Sequence, residues 1–103
     1  MPTTDVRHDS AHHRFDIFID GTPAGHLDYQ PEDETFALNH TEVLPQFGGN
    51  GVGSALVVES LKQIRELGGQ VLPYCPFIPH VIHDNPEFID LVPAEAREQF
   101  GLA

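Results

Sequence analysis

Polar and apolar positions alternate along the first third of the chain. From His12 to Asp20, Phe15, Ile17 and Ile19 fall on one side of an extended chain, the two-residue period of a half-buried strand. Gly21-Thr22-Pro23 then breaks the pattern. Ala24 to Gln30 resumes it, with His26, Asp28 and Gln30 opposite Leu27 and Tyr29, and Pro31-Glu32-Asp33-Glu34 breaks it again. Thr35 to Val43 makes a third strand. Connections this short predict an antiparallel meander. Residues 1–11 carry no apolar periodicity and are expected to be a loose, flexible tail, leaving 12–103 as a single domain.

The period changes after residue 53. Leu56, Val57, Ser60, Leu61, Ile64 and Leu67 recur at three and four, predicting an amphipathic helix of about four turns that Gly68-Gly69 ends. Gln70 to Cys75 follows as a short apolar strand. Strand, helix and strand in that order imply a crossover and a parallel pair. A short helix is expected over Pro76 to Asn85, and a last one opening at Pro93-Ala94-Glu95. The expected fold class is α/β, in the α+β sense: a mixed sheet of about four strands, antiparallel at first, with its parallel strand after the helix.

Composition narrows the chemistry. The 103 residues carry 16 acids against five Lys and Arg, for a formal net charge of −11. Arg7, Arg14, Lys62, Arg65 and Arg97 are too scattered to bind nucleic acid by counterion release or to dock on an anionic membrane. An acidic surface favours cationic partners such as an amine or a basic protein. The single cysteine, Cys75, excludes a disulfide framework within the chain and a cysteine-based zinc site. The polar N-terminus resembles neither a secretory signal nor a transit peptide, so a cytoplasmic protein is expected. His8, His12 and His13 lie in or next to the expected tail, where adventitious metal binding is the limit. No metal cofactor is expected.

Gln46-Phe47-Gly48-Gly49-Asn50-Gly51-Val52-Gly53-Ser54 joins a strand to a helix. Its glycines let the backbone approach a ligand, and the first N–H groups of the helix lack internal partners. Together these make a phosphate or pyrophosphate site. A Walker loop is excluded because Ser54 stands where its lysine belongs. A dinucleotide fingerprint on Gly49 and Gly51 belongs after the first strand of a βαβ unit, with an acidic residue about 20 positions on. Here three strands come first and position 70 is Gln. A Gly-x-Gly loop after an antiparallel meander fits both order and size.

His40-Thr41-Glu42-Val43, the loop through Val57, Val71-Leu72-Pro73-Tyr74-Cys75-Pro76-Phe77, Asn85-Pro86-Glu87-Phe88 and Asp90-Leu91-Val92 together resemble the minimal GNAT N-acetyltransferases over about residues 12–92. The resemblance implies acetyl-CoA as cofactor, with pyrophosphate on Gly48, Gly49, Asn50, Gly51, Val52, Gly53 and Ser54 and pantetheine between the strand ending at Val43 and the strand ending at Cys75. It also implies a thioester carbonyl polarised by a backbone N–H near Val43. In the family an Arg or Gln usually opens the loop. Gly48 takes that place here, so backbone N–H groups must carry the pyrophosphate contact.

His40 and Glu42 point to one face of their strand, where a base for an amine acceptor is useful, and Cys75 ends the strand that flanks the thioester. These three are the candidate catalytic residues. His40 and Glu42 also read as a surface pair, and Cys75 as packing. His80 or His83 could replace the helix tyrosine that larger relatives use as acid. The expected acceptor is a small-molecule or protein amine. A non-catalytic acyl-CoA-binding module and an acidic protein-interaction domain are the alternatives.

Overall fold

The computed structural model describes residues 3–49 and 51–103. Five strands form one sheet in chain order: β1 (Thr4–Asp9), β2 (Arg14–Ile19), β3 (Thr22–Glu32), β4 (Thr35–Val43) and β5 (Gln70–Leu72). The first four pair antiparallel, and β5 pairs parallel to β4. Helix α1 (Val52–Glu66) makes the crossover and α2 (Phe77–Asp84) follows β5. The mixed sheet of the sequence analysis therefore stands, with one strand more than expected.

The additional strand corrects the expectation of a loose tail. Val6 packs on the core and His8 stacks on Phe15, its cross-strand partner, with ring centroids 4.4 Å apart. Two inward residues are too few to register as a period, yet an antiparallel partner makes them enough. The β2–β3 turn falls one residue earlier than expected. Asp20 (φ 49°) and Gly21 (φ 82°) both take positive φ, the primed geometry that matches the twist of the flanking strands.

One face of the sheet is apolar. Phe15, Ile17, Leu27 and Leu38 are fully buried with Leu56, Val57, Leu61 and Ile64 of α1, so the helical period lands on the core as read. Ile78 and Ile82 of α2 join them. Of the phenylalanines, Phe15 and Phe88 fill the core, Phe36 and Phe18 are half-buried, and Phe77 is exposed. No last helix forms at Pro93. A 3₁₀ turn, Ala94–Ala96, is followed by turns to Gly101, whose φ is +72°. Arg97 Nε donates to the Val92 carbonyl at 2.9 Å, and Leu102 N–H donates back to Arg97 O, which closes the segment on itself.

The far end of α1 is tied down by charge. Arg65 donates through both Nη atoms to the Asp90 carboxylate at 2.8 Å and to the Glu87 carbonyl at 2.7 Å. The Arg65 hydrogen bond holds the Asp90 carboxyl below its usual range. No helix among the described residues is long and apolar enough to cross a membrane.

Candidate active site

After β4 the chain makes a 3₁₀ turn, Pro45–Phe47, and enters α1 through the glycines. Gly49 and Gly51 have φ of +81° and +72°, values that a residue with a Cβ adopts only under strain. Gly51 is the N-cap of α1. It has no side-chain cap, and the first turn carries no acid. The N–H groups that open the helix are thus left without the side-chain acceptor that Ser, Asp or Asn would supply there. They face a cavity of about 310 Å³ lined by Val43, Phe47, Gly48, Gly49, Gly51, Val52, Gly53, Ser54 and Phe77.

Seven of the residues that the sequence marks for the cofactor line this cavity, and Asn50 lies outside the described residues. Gly53 is spare of side chain for a reason. A Cβ there would stand 3.3 Å from the Phe77 ring and 3.5 Å from Val43 Cγ2, closing the cavity floor. Phe47 and Phe77 were missed as site residues. Phe77, two residues after Cys75 at the start of α2, reaches the mouth of the loop, which no local pattern signals.

Next to the loop the sheet opens. β5 pairs only with Thr35–Ala37, and Pro73, which has no N–H, follows it. One further bond, Cys75 N–H to Leu38 O at 2.9 Å, holds the two chains together before α2 leads away. β4 runs on to Val43 with that edge unpaired by β5. Leu44 N–H donates to Ala24 O at 2.8 Å on the β3 side, so by alternation Val43 N–H points to the opened side. Thr41, paired with buried Leu27, holds a buried Oγ1 without a hydrogen-bond partner among the described residues. An unpaired strand edge at Val43 beside a buried hydroxyl without a partner is the kind of place where a ligand with amide and carbonyl groups can bond.

His40 and Glu42 lie on the opposite face of β4 from Val43, outside the loop cavity. Their side chains approach each other at 3.7 Å and both are more than half exposed. The register sets them against Asp28 and His26, so four ionisable groups share one outer patch of β3 and β4. Cys75 is half-buried against the core on the other prong of the fork. None of the three candidates lines the loop cavity: His40 and Glu42 lie together on the outer face of β4, and Cys75 follows β5. His80 and His83 line a separate cavity of about 370 Å³ with Pro79, Phe100 and Gly101.

Residues 14–91 match the family described as GCN5-related N-acetyl-transferase. The chain belongs to this family. This N-acetyltransferase also resembles a GCN5-like putative N-acetyltransferase from Staphylococcus aureus solved by NMR. The TM-score is 0.64 at 20% identity, covering 86% of this chain and 87% of that one. A GNAT family acetyltransferase from Brucella melitensis, in complex with acetyl-CoA, aligns over 58% of this chain and 45% of its own at 29% identity, with a TM-score of 0.49. Nourseothricin acetyltransferase aligns over 68% and 56% at 20% identity, with a TM-score of 0.43. No curated protein matches in sequence.

Proposed function

We propose that this acetyltransferase binds acetyl-CoA across the glycine loop and the β4–β5 fork and transfers the acetyl group to an amine. The observation that supports this best is the adjacency of an uncapped helix N-terminus, a glycine-rich cavity and a strand edge that β5 leaves unpaired at Val43. Backbone N–H groups from Gly49 to Ser54 hold the pyrophosphate, since no lysine or arginine lines the cavity. Acetyl-CoA supplies the activated acyl group. Val43 N–H receives the charge that develops on the acyl oxygen. His40, steadied by Glu42, takes the proton that the amine sheds as it bonds to the acyl carbon. The departing sulfur takes its proton from water or from the Cys75 thiol on the facing prong, so neither donor alone is required.

A non-catalytic acyl-CoA-binding module is the second reading, favoured by the absence of His40, Glu42 and Cys75 from the cavity lining. One experiment separates the two. Acetyl-CoA is titrated first, and then free CoA is measured across a panel of amines. An enzyme releases CoA with at least one amine, and a binding module saturates without release. Ligand at 100 times its Kd should stabilise the fold by about 2.7 kcal/mol. No thermal shift at millimolar acetyl-CoA would sink both readings.

A further inference from the structure

The outer patch of β3 and β4 holds more than a base. His26, Asp28 and His40 each offer one ligand atom, and these atoms all lie within 4.8 Å of one another. Two of them already stand at coordinating separation: His26 Nε2 is 3.3 Å from Asp28 Oδ2. A tetrahedral zinc ion with bonds of ~2.0–2.1 Å needs its ligand atoms about 3.3 Å apart. His40 comes from the neighbouring strand, its ring centroid 6.2 Å from that of His26. Its side chain is 58% exposed and has room to swing inward.

We propose that His26, Asp28 and His40 form a binding site for a divalent first-row transition ion, with zinc as its representative. Two imidazoles and a carboxylate are a ligand set that zinc prefers, and three protein ligands leave the fourth position to water. The site is built from the sheet. A β-bulge between Asp28 and Tyr29 sets His40 opposite Asp28, and the two-residue period sets His26 on the same face. Arg14 is the cation opposite Asp28 in register, but its Nε engages Asp16 at 3.1 Å. Glu42, opposite His26, adds a second carboxylate beside the ion. The site does not depend on the chain's being an acetyltransferase. If His40 also serves as the base, bound metal would occupy it and inhibit transfer.

The test is a zinc titration of the full chain in a non-chelating buffer, followed by calorimetry and by the imidazole resonances in NMR. The expected result is one ion bound, with the His26 and His40 signals shifted. His26→Ala and Asp28→Asn should each weaken binding at least tenfold, since even groups that only orient metal ligands are worth about 10–100-fold. These side chains are on the surface, and unchanged backbone spectra would confirm the fold of each variant. His12→Ala/His13→Ala, in the β1–β2 turn, should bind zinc as the parent does. Unchanged affinity in His26→Ala, loss of binding in the turn variant, or no saturable binding at millimolar zinc would each overturn the proposal. Binding of zinc without any effect on acetyl transfer would remove the inhibition alone.

Discussion

His8 Nε2 lies 2.6 Å from Tyr29 Oη, joining β1 to β3 across the width of β2. The imidazole stacks on Phe15 of the intervening strand at an interplanar angle of 14°. A phenol donating to an imidazole nitrogen requires that nitrogen unprotonated. Burial favours the neutral form of both groups. It lowers the His8 pKa, against a smaller opposing pull from Asp9, and raises that of Tyr29.

This pair predicts acid sensitivity of the first strand. The folded His8 pKa lies below its ordinary 6.5, so its contribution is complete above that value and is lost as pH falls through the folded value. Urea unfolding from pH 8 to pH 5 should show wild type losing its advantage over His8→Phe below pH 6.5. A constant difference between the two across that range would show that the imidazole titrates alike in the folded and unfolded chain.

Gly51→Val tests the loop. A Cβ at Gly51 meets nothing within 4 Å, so the cost is the dihedral and not a clash. For an L-residue at this φ the strain is about 1–2 kcal/mol, more for a β-branched one. The strand and helix on either side should survive, and acetyl-CoA binding should be lost as the N–H groups turn away. Unchanged affinity by calorimetry would reduce the glycines to a connector.

Cys75 separates two routes of transfer. Through an acetyl-thiol intermediate, Cys75→Ser and Cys75→Ala would both abolish turnover while acetyl-CoA still binds. Incubation of wild type with acetyl-CoA alone would then add one acetyl group by intact mass. We expect direct transfer, with Cys75→Ala keeping much of its activity and no acetyl adduct on the wild type. A thiolate nucleophile is favoured by an adjacent cation, and no basic residue lies in the immediate sequence of Cys75.

Ser60 is fully buried on α1, and its Oγ has no hydrogen-bond partner among the described residues. Ser60→Ala removes an unsatisfied hydroxyl and improves helix propensity, so it should stabilise the fold by about 1 kcal/mol. Chemical denaturation of the pair measures it, and a loss of stability would mean that the hydroxyl is satisfied in solution.

Local pattern carried much of the architecture. The alternation around Phe15 and Leu27 and the three-and-four spacing from Leu56 to Ile64 each identify an element whose apolar side must be covered. The glycine run marks the loop that enters the helix by backbone chemistry alone. Those readings needed only near neighbours, which is why they survive in the fold. Val6 and His8 offered no such run, and their strand became legible only beside β2.

What the sequence alone determined is therefore the meander, the crossover helix and the loop that opens it, because each is written within a few residues of itself. The tertiary structure decided which distant residues meet. Pairing of β3 with β4, shifted by the bulge after Asp28, puts His26, Asp28, His40 and Glu42 on one patch although up to sixteen positions separate them. The early end of β5 opens the fork beside Val43, and the start of α2 brings Phe77 over Gly53. Register, strand length and the approach of a helix depend on the packing of the whole chain, and no local period encodes them.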